Sequence, residues 1–133
     1  MTLKEYFDGR PGICILSSAD RSGKVTTAVY SAPRVMEDGM VCFIMRERLT
    51  YRNLIENSHA ACMFIEQGAG YQGVRLFLTK IREDNDPDLI AHMTRRHLSA
   101  EEDNAKGPKH LVIFRVDKIL PLIGDSATGI MVA

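Results

Sequence analysis

Net charge is missing from this chain. Its 133 residues carry 17 Lys and Arg against 17 Asp and Glu. That balance excludes broad electrostatic attachment to nucleic acid or to an acidic membrane surface, while leaving room for a local basic patch. Long apolar runs are missing too. The longest, Met40 to Met45, is far too short to cross a bilayer. The opening stretch MTLKEYFDG lacks the apolar core of a secretory signal, so the expected setting is the cytoplasm. Cysteine is scarce. Cys14, Cys42 and Cys62 are odd in number, sit in apolar segments and include no CxxC pair, so buried reduced thiols are expected. His59 and Cys62 stand three apart on an expected strand and point to opposite faces, so no metal site is expected there. Internal repeats, low-complexity tracts and dividing linkers are also lacking. The expectation is a single domain over 1–133, with hydrophobic residues at a globular 45%.

What is present is mostly β-forming. GICILSSAD (12–20), VTTAVYSA (25–32), MVCFIMR (40–46), HAACMFIE (59–66), VRLFLTKIRE (74–83) and KHLVIFRVDKILPL (109–122) read as six strands. RSGK and MEDG supply turns. Leu3 to Phe7 reads as a short helix. A second helix starts at Thr50 as N-cap, with Leu49 and Leu54 as a hydrophobic staple, and ends near Asn57. A third covers DPDLIAHMTRRHL (86–98), capped by Asp86 with Pro87 at its first position. Its Leu89, Ile90, Met93 and His97 share a face suited to packing on a barrel. SAEEDNAKGP (99–108) reads as a surface loop.

MVCFIM is apolar at every position, whereas a strand with one wet face alternates. One face can fill a small barrel and the other must meet a partner subunit, a flat apolar ligand, or both; AACMFI shows the same character more weakly. The expected fold is mainly β: a closed antiparallel barrel of six strands with short helices, dimerising through a barrel face.

Arg46, Arg48 and Arg52 crowd around an expected helix start, where the dipole favours acids rather than cations. Two explanations compete. One is a solvated edge with an Arg52–Glu56 pair at i,i+4 spacing. The other is an anion site in which helix N–H groups, the Thr50 hydroxyl and forked guanidinium donors hold a phosphate. The neighbouring apolar strand would then take a flat ring attached to that phosphate.

The segment GMVCFIMRERLTYRNLIENSHAACMF, and above all YRNLIENSHAACMF, resembles the pyridoxamine 5′-phosphate oxidase-like, FMN-binding split-barrel family. GYQGVRLFLTKI is similar to that family's next strand, and the likeness runs from GICILSSA to VIFRVDKI. The resemblance implies FMN as cofactor and a homodimer with the cofactor at or near the subunit interface. It implies ring contacts from Val29, Tyr30 and Ser31, and ring and ribityl contacts from Phe43, Ile44 and Met45. Phosphate contacts would come from Arg48, Thr50, Tyr51 and Arg52, and further contacts from Gln72 and Arg75. The family's serine–arginine–lysine segment is replaced here by Arg48-Leu49-Thr50.

The C-terminal LPLIGDSATGIMVA lacks the Arg and His with which true pyridoxamine phosphate oxidases hold their substrate, so vitamin B6 oxidation is not expected. No Ser/His/Asp set or carboxylate pair stands out for acid–base work, and redox chemistry would belong to the flavin. Tyr71 in GAGYQG is a candidate to cover the ring from a loop. An FMN-dependent oxidoreductase or electron carrier acting on a small molecule or electron donor is the first expectation. The alternatives are a barrel that binds deazaflavin, haem or another flat ligand, with His59, His92, His97 or His110 as axial candidates, and a cofactor-free barrel.

Overall fold

A computed structural model describes residues 1–94 and 98–133. The described elements, in chain order, are α1 (Leu3–Phe7), β1 (Gly12–Ala19), β2 (Val25–Tyr30), β3 (Arg34–Val35), β4 (Val41–Arg46), α2 (Leu49–Glu56), β5 (His59–Glu66), β6 (Gly73–Asp84), α3 (Pro87–Met93), α4 (Ala100–Ala105) and β7 (Lys109–Pro121). The strands form one antiparallel sheet in the order β2-β1-β5-β6-β7-β4-β3. The sheet curls into a split barrel. Two register shifts in the β6–β7 ladder, at Phe77/Leu78 and Lys80/Arg82, help these long strands bend around the core.

The sheet has seven strands rather than six. The addition is β3, two residues long and too short to show any periodicity. It pairs with β4 across a tight turn in which Met36 N–H donates to the Met40 carbonyl at 2.7 Å. Gly39 in that turn has φ +85, a conformation that only glycine adopts at no steric cost.

Alternation sets the interior. Cys14, Leu16 and Ser18 of β1 point inward, as do Cys62 and Phe64 of β5 and Val74, Leu76 and Leu78 of β6. β4 and the start of β7 do not alternate. Val41, Phe43, Met45, Val112 and Phe114 join the main core. Cys42, Leu111 and Ile113 form a second buried cluster on the opposite face with Ile90, packed by Ile44, Leu89 and Met93. The cover for the outer face of β4 is therefore α3 of the same chain. MVCFIM leads one to expect a partner subunit, a flat apolar ligand, or both on this face; a helix of the same chain takes part of it. β5 is buried mainly on one face, its outer positions only half covered.

α2 fills the split between the first strands and β4, burying Thr50, Tyr51, Asn53 and Leu54. Asn53 Nδ2 donates to Ser18 Oγ at 3.2 Å inside the barrel. The helix starts two residues earlier than expected. Its N-cap is Arg48, not Thr50, and Leu49 is exposed at its first position rather than folded into a staple. Thr50 is turned inward because the helix must bury that face, so its hydroxyl is lost as a cap.

The third helix also differs: it ends at Met93, with Thr94 as C-cap. Asp86 caps it as expected, accepting from Asp88 N–H at 3.0 Å. His97 lies outside the described residues. The expected loop at 99–108 contains α4, which has no buried residue. Ser99 caps it by accepting from Glu102 N–H at 3.1 Å, and three acids occupy its first turn, so capping and the helix dipole stabilise it without an apolar stripe. Among the described residues no helix is long and apolar enough to cross a membrane.

The covering role of α3 has a direct test. Ile90→Ala should cost about 2–5 kcal/mol in urea unfolding, because it opens a cavity against β4. Ile55→Ala, on the exposed face of α2, should stay within about 0.5 kcal/mol. Equal effects would mean that α3 is not packed on the sheet.

Candidate functional site

The residues of β4 alternate between two faces, and its outer face carries Cys42, Ile44 and Arg46 in line. Register extends this face sideways. Arg34 lies opposite Cys42, Leu111 opposite Ile44, and Lys109 opposite Arg46. Part of this surface lies under Met93 of α3. The remainder opens as a cleft of about 250 Å³. Its apolar walls include Phe43, Ile44, Met93, Leu98 and Leu111. Tyr30 and Ser31 border it where β2 ends. Among the described residues five cations line it, Arg34, Arg46, Arg48, Lys106 and Lys109, and no carboxylate does. In a chain with equal numbers of acids and bases, that is a strong local segregation of charge.

The cations are not equivalent. Arg46 donates from Nη2 to Asp103 Oδ1 at 2.5 Å, and from Nη1 to the carbonyls of Asp103 and Gly107 at 3.1 and 2.6 Å. Lys109 Nζ lies 3.1 Å from the same Asp103 oxygen. Asp103 thus pins α4 against the end of β4. The bond from Arg46, then that from Lys109, holds its carboxyl below the usual aspartate range. Arg34, Arg48 and Lys106 form no ion pair among the described residues. Arg48 sits at the start of α2, which has neither a side-chain cap nor an acid in its first turn. Its charge acts on the Tyr30 phenol. Burial raises the pKa of that phenol, while a hydrogen bond with the Thr50 hydroxyl and the nearby Arg48 pull it back.

Five of the twelve expected contact residues line the cleft: Tyr30, Ser31, Phe43, Ile44 and Arg48. The others lie elsewhere. Met45 points into the core. Thr50 is buried against Tyr30. Tyr51 donates to Glu83 at 2.9 Å and stacks on His110 with 4.4 Å between ring centroids. Burial and then Glu83 push its phenol up to about 12. Arg52 turns back to donate to the Glu47 carbonyl at 3.1 Å and makes no pair with Glu56. Val29 and Arg75 lie on the outside of the sheet, Arg75 donating from Nε to the Pro121 carbonyl at 2.9 Å. Gln72 lies in the exposed loop before β6. Tyr71 in that loop is 75% exposed with φ +53.

Lys106, Lys109, Arg34 and Leu98 were missed. Lys109 could have been found from register, since it stands opposite Arg46. Lys106 could not, because α4 was read as a loop. No histidine lines the cleft among the described residues. All three cysteines are buried thiols outside any disulfide, Cys14 and Cys62 with their sulfurs 3.0 Å apart. Among the described residues, no group of three or more His, Cys, Asp or Glu is placed to hold a metal ion.

Comparison with known proteins places this geometry in a class. No protein-family model matches the chain, and no curated protein does. Solved structures do match. An FMN-binding protein from Syntrophomonas wolfei subsp. wolfei is 20% identical with a TM-score of 0.72, the match covering 91% of this chain and 84% of that one. An F420 reductase is 16% identical with a TM-score of 0.68, covering 90% and 97%. A structure described as a candidate pyridoxamine 5′-phosphate oxidase from Lactobacillus delbrueckii is 12% identical with a TM-score of 0.63, covering 87% and 88%. The fold is the pyridoxamine 5′-phosphate oxidase-like split barrel.

The Asp103 pin makes a pH prediction. A carboxyl whose pKa is lowered on folding stabilises the fold above its ordinary value of 3.8, and that contribution is lost as pH falls through the lowered one. Wild type should therefore melt higher than Asp103→Asn at neutral pH. The gap should close progressively below pH 3.8. A gap that persists unchanged into strong acid would show that the carboxylate charge is not what matters.

Proposed function

We propose that this chain is an FMN-binding flavoprotein that acts as an oxidoreductase or a flavin-based electron carrier. The observation that carries this is the cleft itself: an apolar floor from β4 and β7, rimmed by cations with no acid among them. An apolar wall suits one face of a flat ring. Arg48, at the uncapped start of α2, suits the phosphate, where a guanidinium fork and the helix dipole act together. The Tyr30 phenol and Ser31 hydroxyl border the same space and offer hydrogen bonds to polar ring atoms. When bound, the flavin would supply the redox chemistry. The chain would bind and orient it and exclude water from one face. A His-ligated haem is the weaker reading, because none of the described histidines reaches the cleft and His110 is engaged by Asn85 at 3.0 Å. Buried, unlinked cysteines fit a cytoplasmic setting.

We further propose that the functional unit is a homodimer. A cleft of about 250 Å³ falls at or below the usual range for a whole ligand, roughly 300–1,000 Å³, so one chain supplies only part of the enclosure. Outward-facing Ile13, Ile15, Val29, Met63, Ile65 and Phe77 lie side by side across β2, β1, β5 and β6. Val29 is 76% exposed and Ile13 56%. A contiguous apolar patch of this kind marks an interface. Val29 adjoins Tyr30, so a second copy seated on the patch would stand at the mouth of the cleft.

Two measurements test these proposals. FMN and riboflavin should both bind the wild type, with visible absorbance in the blue. Arg48→Ala should weaken FMN roughly ten- to a hundredfold and leave riboflavin alone. Arg52→Ala should change neither, because that side chain is folded back on Glu47. Equal losses for both ligands in Arg48→Ala would remove the phosphate contact. Sedimentation at micromolar concentration should give about twice the 14.9 kDa chain mass, and Met63→Glu should halve it. A wild-type monomer would overturn the shared site.

A further inference from the structure

A second cluster of ionisable groups meets the cleft at a link of two residues. β4 ends at Arg46 and α2 begins at Leu49, so only Glu47 and Arg48 join them. The link is tight. Arg48 N–H donates to the Arg46 carbonyl at 2.8 Å, and Arg52 holds the Glu47 carbonyl at 3.1 Å. Arg48 lines the cleft. The Glu47 carboxylate lies 3.8 Å from Nε2 of His110, a ring that does not line it.

His110 is held on one side and unsatisfied on the other. Its ring stacks on Tyr51 of α2. Its Nδ1 lies 3.0 Å from Asn85 Oδ1 and 3.2 Å from Glu83 Oε1. Both oxygens are acceptors, so Nδ1 carries a proton. Burial alone would raise the Glu83 carboxyl, but bonds from Tyr51 and Lys80, with His110 beside it, hold it below the usual glutamate range. Nε2 is buried and has no hydrogen-bond partner among the described residues. At 3.8 Å the Glu47 carboxylate is too far to accept one. The charged and titratable groups around the ring, among the described residues, are Glu83 with Lys80 behind it on β6, the Tyr51 phenol on α2, and Glu47 in the link.

A second proton changes this balance. On a neutral ring, Nε2 is a bare lone pair facing a carboxylate, and the Glu47 charge acts beside Arg48, where it opposes a bound anion. On an imidazolium, Nε2 becomes a donor and the Glu47 charge is compensated. Histidine is the side chain that makes such a change near physiological pH. We infer that His110 and Glu47 form a proton-linked control on the Arg48 anion site: a second proton on His110 draws in the Glu47 carboxylate, offsets its charge and strengthens phosphate binding at Arg48. The ligand at Arg48 rests on the flavin reading; the coupling of His110 to Glu47 does not. By linkage the effect is reciprocal, and a bound phosphate favours the doubly protonated ring.

FMN titrations of wild type, His110→Phe and Glu47→Gln at about pH 8 and about pH 5.5 test this. Phenylalanine can keep the stack on Tyr51 and takes no proton. Protonation of the FMN phosphate is common to all three proteins, so ratios between them are read. Relative to His110→Phe, wild type should gain roughly three- to tenfold in FMN affinity on acidification. Glu47→Gln should bind FMN more tightly than wild type at the higher pH and follow the pH course of His110→Phe. A merely structural contact would instead weaken binding in both variants at both pH values. Riboflavin should show none of these differences. Parallel pH courses for wild type and His110→Phe overturn the control, as does a Glu47→Gln variant that binds no tighter at the higher pH. If Arg48→Ala leaves FMN affinity unchanged, the phosphate reading fails by itself. The coupling is then decided by NMR titration of the imidazole in the ligand-free chain, which also serves if His110→Phe does not fold. His110 should take up its proton at higher pH in wild type than in Glu47→Gln, and identical titrations overturn the coupling.

Discussion

β4 is buried on both faces, and the rest of the site depends on that. One face seals the barrel through Val41, Phe43 and Met45. The other must also leave water, and α3 covers it through Leu89, Ile90 and Met93. This second layer turns the outside of a barrel strand into the floor of a cleft. Without it, Cys42, Ile44 and Leu111 would be a flat wet surface rather than a wall with a roof. The Arg46–Asp103–Lys109 cluster holds the roof at its far end. Exposed ion pairs contribute little to stability as a rule. This one matters mainly through geometry, because it fixes α4, while Arg34, Arg48 and Lys106 line the cleft with no ion pair among the described residues.

The charge pattern follows from the same arrangement. Cations crowded together repel, and a neutral chain has acids to spare for pairing them. Among the described residues, one carboxylate is spent on five basic side chains lining the cleft. Clustering of that kind is a standing electrostatic cost in the empty site, and an anionic ligand offsets it. Elsewhere two acids are each shared: Glu83 by Lys80, Tyr51 and His110, and Glu66 by Arg10 and Tyr6.

Much of the fold was legible because it is written in period. HAACMFIE runs as a strand over the same residues, His59–Glu66, and the other five expected strands shift by no more than two residues at either end. The doubled apolar character of MVCFIM correctly signalled two covered faces, but sequence alone could not say whether a helix or a partner covers the second. Leu89, Ile90 and Met93 were read as a packing face, which was the missing half of that answer. α4 escaped because it buries nothing, although Ser99 with Glu102 three residues on is a capping signal in plain view. β3 escaped because two residues have no pattern. Thr50 looked like a cap because capping depends on residue type, whereas the chain used its β-branched side chain to bury the inner face of α2. The fates of the three clustered arginines are set by tertiary partners. Asp103 claims Arg46, the Glu47 carbonyl takes Arg52, and Arg48 forms no ion pair among the described residues.

The central claim is that cations in this cleft hold a cofactor phosphate. Phosphorus NMR of FMN bound to the protein, titrated with acid, addresses it most directly. Free phosphate monoesters take up their second proton near pH 6. Cations within hydrogen-bond reach favour the dianion and lower that value. The bound resonance should therefore stay in its dianionic position well below pH 6, moving only when the fold itself gives way. A bound resonance that titrates near pH 6, as in free FMN, would mean that the phosphate lies in solvent, and it would contradict the account.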